Sequence, residues 1–256
     1  MRLPQPSGDF EWVQEPWGQG LQCRPLHAVA SHCFSTRALE LTDPASPEAA
    51  GWSALAARMG VDAHALVCMR QVHGADVCEA QTPAPPSLST AADIAITVDP
   101  ALSLSVRAAD CVPILLADPQ TGAVAAVHAG WQGTAAGAAI AAVRALSRYG
   151  AAPQHMIAAV GPSIGPCCYE VGPELITRFS SHPEAHSWFS SGARPHLDLW
   201  RANRDQLARA GLSSENIHVS ALCTFDHPAL FHSYRRDGLR AGRLVAAIRS
   251  GRGRTL

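Results

Sequence analysis

The sequence predicts an α+β fold built around a mixed sheet. Seven short apolar runs with strand character outnumber three helix-like runs, and the two kinds do not alternate as a doubly wound fold requires. Composition agrees: 47% of the 256 residues are hydrophobic and 16% are charged, ample for a buried core and far from a disordered chain.

The strand-like runs are "ALVCMRQV" (65–72), "DIAITV" (93–98), "LSLSVRA" (102–108), "VPILLA" (112–117), "AVAAVHA" (123–129), "MIAAV" (156–160) and "NIHVSAL" (216–222). Each is short, apolar and bounded by turn residues. "DPQTGA" between the fourth and fifth reads as a hairpin turn and predicts antiparallel pairing there. The helix-like runs are 133–150, ending at Gly150 as a C-cap; 172–181, with Pro173 in the first turn; and 198–211. The last puts Leu199, Ala202, Leu207 and Ala210 near one face, with Asp198 as N-cap and Gly211 at the end. Two Pro-rich stretches, 41–52 and 80–90, read as surface loops.

Several function classes are disfavoured at once. A formal net charge of −1 gives no global field for nucleic acid or an anionic membrane. No window of about 18 apolar residues suggests a membrane span. The first twenty residues are rich in Pro, Gly and charge and lack the apolar stretch of a secretory signal. Eight cysteines without such a signal point to free thiols in a reducing cytoplasm. No C-x-x-C pair is present, and adjacent Cys167 and Cys168 suit neither a zinc ribbon nor an ordinary disulfide.

Three motifs each put a metal-capable side chain at a strand end: His73 in "CMRQVHG", Cys111 in "RAADCVP" and His128 in "AVAAVHAGW". Zinc accepts imidazole nitrogen and thiolate sulfur, and its catalytic sites use three protein ligands with one position open. The intervals match no compact zinc motif, so spacing alone favours two hydrogen-bonded turn histidines and a core thiol over a metal set. Asp110 should point away from a metal-facing Cys111 unless a bulge intervenes. It is a candidate to orient a histidine, or else a plain turn carboxylate. "HAGWQGTAAG" offers backbone N–H groups at a helix start, a phosphate-attracting feature or a simple Gly-rich turn. "VGPSIGPCCYEVG" suits a pocket wall, with Tyr169 and Glu170 as its polar groups. "HCFSTR" and "FHSYRRDG" offer Ser35, Arg37, Arg235 and Arg236, of which the arginines can pair with phosphate.

Taken in order, "RQVHGADV", "ADCVPILLADP", "AVHAGWQGTAAG", "AVGPSIGPCCYEVG", "CTF" and "SYRRDG…GR" resemble the laccase-domain family, the YfiH-like proteins long labelled polyphenol oxidases. The resemblance spans roughly residues 27–249. It implies a mixed β-sandwich with flanking helices as a single catalytic domain over 27–256, preceded by an N-terminal extension over 1–26. It implies zinc on His73, Cys111 and His128, with copper the less favoured ion. It also implies phosphorolysis of adenosine, inosine, guanosine and methylthioadenosine, together with adenosine deamination.

On this reading Cys111, Asp110 and Glu170 are the candidate catalytic residues, with Glu170 as acid. Arg37, Ser35 and Gln71 are candidates to contact substrate or phosphate. The expected partners are purine nucleosides and phosphate, handled by a cytoplasmic monomer or weak homodimer. Two departures from the family pattern put substrate choice in question: "RALELTDPASPEAAGW" lacks the usual Gly-Gly turn, and His232 stands where Phe is common. Rival readings are a cysteine hydrolase with Cys111 as nucleophile and His128 as base, cutting an amide bond in cell-wall precursor editing; a copper-dependent phenol oxidase; and a binding protein stapled by structural zinc.

Overall fold

The structure, a computed structural model, describes residues 3–41, 50–81 and 89–251. The two Pro-rich loop segments, and most of the unusual stretch after Arg37, lie outside them; residues 50–52 instead begin a helix.

Twelve strands are found among the described residues: β1 (Phe10–Glu15), β2 (Gly18–Cys23), β3 (Ala30–Ser35), β4 (Leu66–Val67), β5 (Val77–Glu79), β6 (Ile94–Thr97), β7 (Ser103–Ala108), β8 (Val112–Ala117), β9 (Val124–Ala129), β10 (Ile157–Val160), β11 (Ile217–Val219) and β12 (Leu244–Ser250). The helices are α1 (Arg24–His27), α2 (Ala50–Met59), α3 (Trp131–Ala135), α4 (Ala138–Ser147), α5 (Glu174–Arg178), α6 (Leu199–Arg209) and α7 (Tyr234–Asp237). The strands make two six-stranded mixed sheets, in the orders β1-β2-β3-β12-β7-β4 and β11-β10-β8-β9-β6-β5.

Alternation of side chains along each strand sets the layers. Phe34, Leu104, Val106 and Ile248 of the first sheet meet Leu115, Ala126 and Ala159 of the second in one buried cluster. The opposite face of the second sheet, with Ile94, Ile114, Leu116 and Val127, packs on Val143 of α4 and Leu207 of α6. The outer face of the first sheet, with Cys33, Val245 and Ala247, packs on Trp52, Leu55 and Met59 of α2. Because both faces of β8 and β9 are covered, all twelve of their residues are buried, and they read as unbroken apolar runs. Each buried Val, Leu or Ile there contributes about 1.5–3 kcal/mol.

The β8–β9 hairpin forms as its turn residues require. Asp118 Oδ2 accepts from Thr121 N–H at 2.8 Å, and Gly122 takes the left-handed φ of +76°. Helix α6 is capped by Asp198, which accepts from Arg201 N–H at 2.9 Å. The long helix read over 133–150 is instead α3 and α4, broken at Gly137 with φ +80°. Asn203 and Gln206 of α6 donate to the side chain and carbonyl of Thr134 at this break, so the carbonyl freed by the kink finds a partner.

Within the stretch read as an N-terminal extension, Phe10–Glu15 and Gly18–Cys23 join the sheet. β1 and β2 pair as a hairpin, and β2 continues into the first sheet through β3. The N-terminal hairpin is therefore part of the sandwich. Among the described residues no helix is long and apolar enough to cross a membrane.

Close packing between the sheets has a testable consequence at Gly161, just after β10. A Cβ there would lie 2.3 Å from Cε1 of Phe34. Gly161→Ala is expected to cost about 1–3 kcal/mol by overpacking, read as a fall of several degrees in the thermal midpoint.

Candidate metal centre and active-site cavity

The second sheet and its loops bring His73, Cys111 and His128 together. One ligand atom from each lies within 4.8 Å of the other two. Cys111 immediately precedes β8, and His128 is the fifth residue of β9; β8–β9 pairing sets Pro113 opposite His128. His73 comes from the loop after β4. The two imidazoles stand edge to face, with ring centroids 4.9 Å apart.

The residues around the set explain how it is held. His73 has φ +63° and Asp110 φ +87°, left-handed values that non-glycine residues rarely adopt. The buried Asp93 pays for the first: its carboxylate accepts the N–H groups of Val72, His73 and Gly74 at 3.1, 3.0 and 2.7 Å. The same carboxylate lies 2.8 Å from Nδ1 of His128, which directs Nε2 to the ligand side. Burial pushes the Asp93 carboxyl up, but His128 and the backbone donors outweigh it and hold it below the usual carboxylate value. Gly130 supplies clearance, since a Cβ there would sit 2.7 Å from Cys111 Sγ.

Asp93 is the functional residue that the motifs did not reveal. Asp110 was the candidate to orient a histidine; its carboxylate turns elsewhere. It accepts from Thr224 Oγ1 at 2.6 Å, Ser233 Oγ at 3.0 Å and Arg235 N–H at 2.6 Å. It thus ties the turn carrying Cys111 to the start of α7. The available signal for Asp93 was a carboxylate opening the mostly apolar run "DIAITV", where a buried charge needs partners.

Burial raises the Cys111 thiol, but His128 and then His73 overcome it and bring it down to about 6. Burial lowers the His128 imidazole, but Cys111 and Asp93 carry it up to about 9.

The three ligands line a cavity of about 770 Å³. Trp131, Tyr169 and Tyr234 give it aromatic walls, and Arg107, Arg235 and Arg243 give it positive charge. The Arg235 guanidinium lies 4.9 Å from the centroid of the Tyr169 ring. Gln71 also lines the cavity and is locked to the Arg107 backbone by bonds of 2.7 and 2.9 Å.

The remaining candidates are placed differently. Ser35 is buried and accepts from Val245 N–H at 2.9 Å. Arg37 donates to Pro228 O at 2.5 Å and Glu170 pairs with exposed Arg194 at 3.4 Å. None of the three lines the cavity. Glu170 is adjacent to Tyr169, which does, and neighbouring side chains in extended backbone point apart.

The donor set suits a borderline-soft ion: one thiolate, two imidazoles, and a fourth direction facing the cavity. Among the described residues only one further group of metal-capable side chains exists, and it contains no histidine.

A family model described as multi-copper polyphenol oxidoreductase laccase matches residues 34–250. A purine nucleoside phosphorylase of Deinococcus radiodurans is 36% identical over 238 residues, covering 88% of this chain and 91% of that one. An adenosine deaminase, RL5, from an unknown prokaryotic organism is 35% identical over 213 residues, covering 76% and 78%. The crystal structure of YlmD from Geobacillus stearothermophilus superposes with a TM-score of 0.84 at 32% identity, covering 93% and 98%. Sequence match and fold agree, and the chain belongs to the laccase-domain family of enzymes.

Proposed function

We propose that this chain is a zinc-dependent purine nucleoside phosphorylase that also deaminates adenosine. One observation carries the reading: a His-Cys-His set at the base of a cavity walled by aromatic rings and arginines. The names of the relatives, phosphorylase for one and deaminase for another, support it.

His73, Cys111 and His128 would hold the ion, which when bound supplies Lewis-acid charge and acidifies a water to a pKa of about 7. Everything else falls to the chain. Trp131, Tyr169 and Tyr234 offer flat apolar faces to a purine, each stacking contact contributing about 1–3 kcal/mol. Arg107, Arg235 and Arg243 neutralise inorganic phosphate and place its oxygen for attack on the anomeric carbon as the base leaves. Burial first, then Cys111, raises the Tyr169 phenol to about 12, so its hydroxyl remains a proton donor in neutral solution. Tyr169, rather than Glu170, is placed to hydrogen-bond the departing purine. Asp110 positions Arg235 through its backbone and takes no part in proton transfer. A reducing cytoplasm fits all eight cysteines being free.

The experiment is a nucleoside panel assayed with and without phosphate, beside metal analysis of the same protein. Arg235→Ala should raise the KM for phosphate about tenfold, the loss of one charge-assisted hydrogen bond, with deamination little changed. Equal losses in both reactions would remove Arg235 from the phosphate site.

A second reading has one specific observation in its favour. Cys111, His128 and Asp93 also form a nucleophile–base–carboxylate series, with Asp93 2.8 Å from Nδ1 of His128. Such a cysteine hydrolase would cleave amides with the metal removed. Activity lost to a chelator and restored by Zn²⁺ dismisses it.

A further inference from the structure

Away from the cavity ligands, Cys167, Cys168, Cys223 and Asp226 each place a ligand atom within 4.8 Å of the other three. They come from two segments far apart in sequence: "GPCCYE", between β10 and α5, and "CTFD", between β11 and α7. Backbone bonds lock these segments together. Ser163 N–H donates to Leu222 O at 3.2 Å, and Thr224 N–H donates to Ser163 O at 3.0 Å. Arg236 Nη1 secures the second segment, donating to Thr224 O and Phe225 O at 3.0 Å each.

The polar contacts inside the cluster converge on the sulfurs. Gly165 N–H donates to Cys223 Sγ at 3.3 Å. The Asp226 carboxylate spans the other two thiols, accepting from Cys167 Sγ at 3.2 Å and from Cys168 Sγ at 3.1 Å. Core packing does not account for this arrangement. Cys223 is buried, but Cys167 is exposed and Cys168 only half-buried.

We propose that Cys167, Cys168, Cys223 and Asp226 form a second metal site, distinct from the cavity site, that takes Zn²⁺. Three thiolates and a carboxylate complete a tetrahedron of protein ligands, the form of a structural zinc centre with no position left for substrate. Zinc–sulfur bonds of about 2.3 Å give a tetrahedral edge of about 3.8 Å, so the cluster closes with shifts of about an ångström or less. Hard cations such as Mg²⁺ and Ca²⁺ are excluded by the sulfur donors. The Gly165 N–H orients the Cys223 sulfur. Binding displaces the thiol protons to solvent.

The ion would staple two parts of the active site. The first segment continues into Ile164 and Tyr169, which line the cavity. In the second, Thr224 Oγ1 donates to Asp110, the residue before Cys111. Closing the cluster therefore fixes the cavity wall relative to the turn that presents a ligand of the first metal.

The test is zinc stoichiometry of the full chain, loaded with Zn²⁺ alone, desalted, and measured by elemental analysis and native mass spectrometry. Wild type should retain two equivalents. Cys111→Ala should retain one, as should the Cys167→Ser/Cys168→Ser variant, and the combined variant none. With Co²⁺ as probe, Cys111→Ala should keep a thiolate-to-cobalt charge-transfer band that disappears when Cys167 and Cys168 are also serine. Should the serine variants fail to fold, alkylation of wild type decides: Zn²⁺ should slow modification of Cys167 by about tenfold or more. One equivalent in wild type with none in Cys111→Ala overturns the proposal. So does unchanged alkylation, or a disulfide among these cysteines in protein kept under reducing conditions. Because Cys111→Ala removes only the cavity site, failure here is distinguishable from failure of the proposed activity.

Discussion

Cys111→Ala is expected to abolish metal binding at the cavity site and to lower phosphate-dependent release of free base by about 10³-fold or more. The thiolate is the only charged ligand of the set, and a catalytic ion supplies several kcal/mol of transition-state stabilisation, at about 1.4 kcal/mol for each factor of ten. The fold should survive, because Cys111 lies in a turn beside a cavity and not within the packed sheet. The measurement is free-base release from a nucleoside with and without phosphate, with metal content on the same samples. Phosphate-dependent turnover that persists in Cys111→Ala would refute the site assignment.

Asp93→Asn carries the next largest effect, through structure as well as metal. The asparagine keeps the shape but can accept at only one of its two terminal atoms. Its amide must face two of the four donors now shared equally between Oδ1 and Oδ2. Metal affinity should fall about 10–100-fold, the usual cost of removing a partner that orients a ligating histidine. Stability should fall by about 3 kcal/mol or more, because a buried charge network loses one member.

The pH dependence has a definite sign. The folded-state pKa of Asp93 is depressed below its unfolded value of about 3.9. Its contribution is therefore complete above that value and is lost as pH falls through the folded-state pKa. Urea melts of metal-free protein should show a full gap between wild type and Asp93→Asn at neutral pH, shrinking in strongly acidic solution. A gap independent of pH would mean that the carboxylate charge is not what stabilises the loop.

Particular elements show what was legible along the chain. The β8–β9 hairpin and the α6 cap were readable because Asp118 and Asp198 act on backbone three residues away. β12 was missed: "LVAAIRS" carries an alanine pair and no clean alternation. It is nonetheless a central strand, because β3 and β7 lie on either side of it. β1 and β2 were missed for a related reason. Their Gly, Gln and Glu content suits an edge hairpin, and only pairing with β3 makes it part of the sheet. The helix over 133–150 was half right, since a glycine tolerates both helix and the left-handed break that α6 completes at Gly137.

The candidate metal ligands divide along the same line. His73, Cys111 and His128 sit in motifs with their own turn residues, so ordered resemblance to a family singles them out. Asp93 has no motif. It matters because β6 pairs with β9, bringing its backbone carbonyl 2.8 Å from His128 N–H and its carboxylate to the ring. Arg37 looked like the phosphate arginine beside its Ser-Thr, yet Arg107, Arg235 and Arg243 line the cavity. They arrive from the end of β7, from α7 and from the segment before β12, and nothing local marks them as a set.

The sequence by itself determined the class of fold, the central hairpin and the three metal-capable side chains, because each rests on interactions spanning a few residues. The tertiary structure alone decided which carboxylate orients the ligands, which arginines face the cavity and how Cys167, Cys168, Cys223 and Asp226 meet. Those choices depend on strand pairing and loop contacts between segments 125 residues apart and more, and hydrogen bonds and charges act over a few ångströms of space whatever the separation along the chain.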